Sequence, residues 1–131
     1  MQSYILGSLL HLETEGNLVM RPLILKLGLP FADNENAIAE GESAAQAMMD
    51  LSWTAKLVAI VSIIREHGLP QYEALVGMVS AKIEKDAYDL ALFMSEHERI
   101  ILAAAENMVA GKKDPMAPLA KILNFPLVPS H

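Results

Sequence analysis

The chain contains no cysteine and few aromatic residues: phenylalanine, tryptophan and tyrosine together make up 5% of its 131 residues. The absence of cysteine excludes disulfides, thiolate metal sites and cysteine nucleophiles. A chain without cysteine suits a reducing compartment, and we therefore expect a cytoplasmic location.

Basic residues are also scarce. Ten Lys and Arg stand against sixteen Asp and Glu, so the formal net charge is −6 at pH 7. An acidic chain repels a polyanion over any long contact surface. In a helix-turn-helix protein, residues 21–27 would be the recognition helix, which presents polar side chains to the DNA groove. These residues are mostly apolar. We expect no nucleic-acid partner.

Long apolar runs are missing as well. The longest uncharged apolar run covers residues 57–64, whereas a helix needs roughly 20 apolar residues to cross a bilayer. Residues 1–4 lack the basic segment that opens a signal peptide. We therefore expect no membrane span and interpret the N-terminus as that of a mature protein.

Aliphatic residues and methionine are what the chain has in abundance. Its hydrophobic share is 53%, above the roughly 45–50% of ordinary domains. The length fits one domain, and we assign residues 1–125 to a single helical domain and residues 126–131 to an extended C-terminal tail. We expect a chain this small and this apolar to leave apolar side chains exposed on its surface, which favours a homo-oligomer or a protein partner.

Glycine and proline divide the chain into helices. Gly-Leu-Pro occurs at residues 28–30 and 68–70, each time after a helix-like stretch, and this tripeptide is typical of a helix C-terminus with a left-handed glycine. The punctuation predicts an all-α compact bundle of about five helices: residues 3–14 ending at Gly16, 21–27, 44–67 capped by Ser43, a region from 70 to 110, and 116–123. Forty helical residues would span about 60 Å. We therefore expect a break in the fourth region, at Gly77 or within residues 82–86.

The central helix, residues 44–67, is predicted to be apolar on nearly every side. Gln46, Asp50 and Thr54 form a polar line in its first half, but residues 57–64 offer only Ser62 to water. A helix that is apolar all round must be surrounded, either by its own bundle or by another chain. A buried strand is the alternative for this Val- and Ile-rich run, although its alanine-rich lead-in favours a helix.

A second apolar surface follows Pro70. It is a helical stripe whose residues recur every three or four positions up to Met108, and it includes Leu90, Met94, His97 and Ala105. His97 stands between Glu96 and Glu98, which could tune its protonation; the alternative is a core or interface histidine bonded to an acceptor. The predicted partner-binding residues are Trp53, Leu57, Ile60, Val61, Ile64, Met94 and His97.

Metal-binding and catalytic signatures are weak. Asp86 and Asp89 lie one helical turn apart, but the second acid pair that a helical magnesium enzyme needs is missing. Neither His67 nor His97 follows a carboxylate at the spacing of a di-iron bundle. Nucleophile elbows and phosphate-binding loops are absent as well. We predict no catalytic residue, no metal and no cofactor.

The function that these observations favour is a protein–protein interaction module, such as an adaptor, an inhibitor or a chaperone-like regulatory protein, acting as a homodimer through apolar helix surfaces. The eight methionines fit this hypothesis because they provide deformable apolar surface, although methionine also simply fills cores. The alternative is a small helical metal-dependent enzyme acting on a nucleotide or another small molecule.

Overall fold

The computed structural model describes residues 2–28 and 35–127. Within these ranges the chain forms helices α1 (Gln2–Lys26), α2 (Glu35–Met49), α3 (Trp53–Ile63), α4 (Leu69–Met78), α5 (Lys85–Val109) and α6 (Ala117–Ala120), with a π-helical segment (Ile64–Gly68) and no strand. The predicted all-α bundle is confirmed. The alternative of a buried strand at residues 57–64 is wrong, because these residues are helical.

Helix α5 is the centre of the bundle, since α1, α3, α4 and α6 all pack on it. Its alanines at 104 and 105 are fully buried, and their small side chains let neighbouring helices approach closely. The chain after α5, residues 111–127, is called the C-terminal segment. The main core combines residues far apart in sequence: Tyr4, Ile5 and Leu12 of α1, Ala104 of α5, and Met116, Leu119 and Leu123 of the C-terminal segment. The C-terminal segment is therefore part of the core.

Helix α1 runs unbroken where the sequence predicted a stop at Gly16 and a second helix at residues 21–27. Gly16 is buried inside the helix, and a Cβ at this position would lie 3.2 Å from Nε2 of His97. The glycine therefore makes room for α5 rather than ending the helix. Pro22 removes one helical hydrogen bond, and the helix finally ends beside Gly28, whose φ of 66° is left-handed as predicted.

The predicted middle helix is two helices. α2 ends at Met49, and α3 begins after Ser52, whose Oγ accepts a hydrogen bond from the backbone N–H of Ala55 at 3.2 Å. Ser43, the predicted cap, lies inside α2. Ser52 is in the extended conformation that an N-cap requires, and this competing cap restarts the helix nine residues later than predicted.

Gly68 does not end a helix as predicted. It keeps a right-handed conformation, with φ −61° and ψ −59°, and the π-helical segment joins α3 to α4 without a turn. A Cβ on Gly68 would lie 3.3 Å from Oε2 of Glu98, so this glycine also admits a side chain of α5. Leu29 and Pro30, which complete the first predicted helix end, lie outside the described residues.

The predicted break in the fourth helical region is confirmed: α4 ends at Met78 and α5 begins at Lys85. The predicted last helix is shorter than residues 116–123, because only Ala117–Ala120 are helical. Pro126 and Leu127 are not helical, residues 128–131 lie outside the described ranges, and the domain boundary at residue 125 stays a prediction. In the described ranges no helix combines the length and the apolarity that crossing a membrane requires.

Candidate functional site

The predicted partner-binding residues of α3 and the adjoining π-helical segment face mostly inward. Leu57 and Ile64 are buried, with 4% and 8% of their surface exposed, while Trp53, Ile60 and Val61 are half-buried. Helix α3 packs on α5 through this face. On α5 itself, Met94 and His97 are half-buried.

A shallow groove of about 270 Å³ runs between α3 and the C-terminal end of α5. We call it the valine groove. Val58, Val61, Val109 and Ala110 form its walls, and an ion pair between Arg65 and Glu106 lies in it. Val58 is 50% exposed and Val109 is 44% exposed. Of the predicted partner-binding residues, only Val61 lines this groove.

Two lysines lie just beyond the end of the valine groove. Lys112 and Lys113 follow Ala110 and Gly111, and all four residues are exposed. Gly111 has a left-handed φ of 66°, which ends α5 and turns the chain. Two lysines that make no ion pair within the described residues therefore lie within three residues of the groove wall at Ala110, whereas the Arg65 charge inside the groove is already paired.

Helix α2 is exposed along its whole length. Every residue with described burial is exposed except Met48, which is half-buried. At 3.6 residues per turn, five apolar or small residues of α2 fall within about 100° of one another, and we call this stripe the α2 seam: Ile38, Gly41, Ala45, Met48 and Met49. Glu35 and Glu42 lie two turns apart on one flank of the seam. The helix contains no basic residue.

Helix α1 has apolar side chains on two opposite faces. One face, which includes Ile5 and Leu12, is buried in the core. The other carries the α1 stripe, which consists of Leu6, Leu10, Leu18 and Leu25, all more than half exposed. A surface helix ordinarily turns polar residues to this side. This stripe cannot be recognised when residues 3–14 and 21–27 are taken as two separate helices, as the sequence pattern predicts.

A pocket of about 170 Å³ opens between α1, α5 and the C-terminal segment. Its apolar walls come from all three: Leu12, Gly16, Val19, Phe93, Ile100, Ile122 and Leu123. Glu15, Glu96, His97 and Asn124 add polar groups. The pocket is smaller than the roughly 300–1,000 Å³ of ordinary ligand sites, and its lining suits an apolar side chain.

His97 lies in the wall of this pocket with only 14% of its side chain exposed. Its ring stands 5.9 Å from that of Phe93, and its Nε2 lies 3.9 Å from Oε1 of Glu13. The pKa of the neighbouring Glu98 is raised, mainly by burial. Electrostatic interaction with His97 lowers this pKa, and interaction with Glu13 raises it. Burial, with help from Glu98 and Glu13, also raises the pKa of Tyr72. These four side chains form one electrostatically coupled cluster between α1, α4 and α5.

Glu15 joins α1 to the C-terminal segment. Its carboxylate accepts the backbone N–H of Asn124 at 3.0 and 3.1 Å and the side-chain amide at 3.0 Å. The backbone N–H of Asn124 holds the pKa of Glu15 below its ordinary value, and His11 lowers it further. His11 Nε2 lies 3.0 Å from Oε1 of Glu15 without forming a hydrogen bond.

The two aspartates that sequence reasoning weighed as a metal pair face cations instead. Asp86 lies 3.7 Å from Nζ of Lys26, and Asp89 pairs with Lys85. Across residues 2–28 and 35–127, no group of three or more His, Asp and Glu side chains could hold a metal ion.

Comparison of the chain with protein-family models, with curated proteins and with solved structures gives no match.

Proposed function

We propose that this chain is a protein–protein interaction module that acts as a homodimer through apolar helix surfaces. The observation that carries the proposal is the exposure of α2, a 15-residue helix with an apolar seam. Isolated helices of about 12 to 15 residues are marginal in water, and most helices in proteins are stabilised by packing an apolar face. A second chain supplies that packing.

The rest of the described surface supports the same proposal. The α1 stripe and the valine groove add further exposed apolar side chains: the four leucines share one face of α1, and the valines line one groove. Contiguous apolar patches on a soluble chain are typical of interaction sites. The surface that we propose on α3 is narrower than the seven predicted residues, since Leu57 and Ile64 stabilise the chain's own core.

The test is a pair of adjacent substitutions on α3. Val58→Glu places a charge in the valine groove, and we expect a folded monomer. Leu57→Glu places the same charge in the core, and we expect loss of the folded state, because an unpaired buried charge is strongly destabilising. Size-exclusion chromatography with light scattering reports the mass, with the dimer at twice the chain mass of 14.3 kDa.

Far-UV circular dichroism completes the test. If α2 is stabilised by association, the helix content of the wild-type chain rises with concentration over the range in which the dimer forms, and Val58→Glu abolishes this rise. A wild-type chain that stays monomeric at every concentration would show that the proposed function is wrong.

A further inference from the structure

We propose that the dimer forms by reciprocal exchange, in which the α2 seam of each copy docks in the valine groove of the other. This inference rests on the proposed function and names the two surfaces that meet. It makes each chain both the donor and the acceptor of a helix, so the interface is formed twice around a two-fold axis.

The two surfaces match in chemistry. The groove has a floor and walls of valine and alanine, and the α2 seam presents Ile38, Ala45 and Met48 at helical spacing, which is how an amphipathic helix enters an apolar groove. Methionine adapts its shape to an irregular surface. Both surfaces are largely open within their own chain: Ile38 and Met49 on α2 are 50% and 63% exposed, while Met48 and Val61 are half-buried.

The charges also match. The α2 helix carries three glutamates and no cation, whereas Lys112 and Lys113 follow closely after Ala110, the last residue along the chain that lines the groove. Two acidic α2 helices packed against each other would repel, so charge favours α2 against groove over α2 against α2.

Geometry favours a second copy over the chain's own groove. Only residues 50–52 connect α2 to α3, and Ser52 is held as the N-cap of α3. With this cap in place, α2 leaves α3 as an exposed arm and the groove of the same chain stays open. Exchange of such an arm between copies covers both surfaces without any change in the core.

The test is a charge-reversal cycle with two variants. The first, Lys112→Glu with Lys113→Glu, reverses the groove end; the second, Glu35→Lys with Glu42→Lys, reverses the flank of the seam. Each variant alone sets like charges against each other at both copies of the interface. We expect the dissociation constant of either dimer to rise about ten- to hundredfold.

An equimolar mixture of the two variants restores attraction at both contacts of a mixed dimer, because reversed seam meets reversed groove and native seam meets native groove. We therefore expect native mass spectrometry of the mixture, with one chain carrying a mass tag, to show the heterodimer almost exclusively. Glu40→Lys is the matched control, since it changes the charge of α2 on the side away from the seam, and we expect it to dimerise like wild type.

The remaining outcomes overturn the inference in distinguishable ways. If both variants dimerise as tightly as wild type, the dimer uses another surface, so the exchange is wrong while the proposed function stands. If the mixture gives no heterodimer although each variant alone is monomeric, α2 does not meet the groove of a second copy. A monomeric wild-type chain overturns both proposals.

Discussion

The carboxylate of Glu15 in α1 accepts three hydrogen bonds from Asn124, a residue 109 positions later in the chain. This contact fixes the C-terminal segment across α1 and α5 and closes one side of the pocket that contains His97. A single ionised side chain therefore adds a polar link between α1 and the C-terminal segment, beside the apolar core contacts of the same two segments.

We expect Glu15→Gln to lower the melting temperature by a few degrees at neutral pH, because a neutral amide accepts weaker hydrogen bonds than a carboxylate. The pKa of Glu15 is lowered in the folded chain from an ordinary value of 4.5. Its stabilising contribution is therefore present above pH 4.5 and is lost as the pH falls below that value. Thermal melts of both chains from pH 7 to pH 3 should converge at the acidic end; a constant difference would contradict the role of the charge.

Glu98 should show the opposite pH dependence. Burial raises its pKa above 4.5, so the ionised form is disfavoured in the folded chain. Stability from this group is present below pH 4.5 and is lost as the pH rises through the raised pKa. We expect Glu98→Gln to raise the melting temperature by roughly 1–3 °C at pH 7 and to change little at pH 4. A loss of stability at pH 7 would show that the carboxylate has a partner that we have not recognised.

Gly16 should resist substitution by alanine although it lies in a helix. Replacing glycine by alanine inside a helix ordinarily raises the free energy of unfolding by about 1 kcal/mol. We expect a rise of up to that size for Gly77→Ala, because Gly77 has open space around it. At Gly16 the new methyl group meets His97, so we expect no gain or a loss of about 1–3 kcal/mol. Urea denaturation in a His97→Ala background is the check: the penalty at Gly16 should disappear there, and a penalty that persists would place its cause elsewhere.

The C-terminal segment should carry a large share of the stability of the fold. Leu119 is fully buried, whereas Ile122, one turn later, is 47% exposed. We expect Leu119→Ala to lower the free energy of unfolding by about 2–5 kcal/mol and Ile122→Ala by about 0.5 kcal/mol or less. Equal effects in urea denaturation would mean that this segment does not pack as described.

The α1 stripe should be dispensable for folding. We expect Leu10→Gln with Leu18→Gln to change the free energy of unfolding by about 1 kcal/mol or less and to leave the dimer mass unchanged, while binding of a hydrophobic dye falls. Leu12→Gln is the control on the buried face, and we expect it to destabilise the fold. A monomeric double variant would move the dimer interface to α1.

Much of the fold follows from the sequence because helix ends are often decided locally. Gly28 and Gly111 adopt the left-handed conformation that ends a helix, and the break between α4 and α5 falls where the length of the segment and its charged stretch predicted it. Periodicity likewise identified Leu90 and Ala105 on the buried side of α5. These features depend on neighbours within a few residues, so the local sequence is enough to predict them.

Only the tertiary structure decided the use of Gly16 and Gly68, which resemble helix ends in the sequence but serve as spaces for His97 and Glu98 of α5. It also decided which face of residues 57–64 is covered, because that depends on where α5 lies. The same holds for Glu15 and Asn124, since no local pattern links residues that far apart. The sequence by itself determined that the chain is helical and that it has more apolar residues than ordinary domains of its size. Three-dimensional packing determined which apolar side chains remain exposed, because burial depends on the neighbours that a fold brings together.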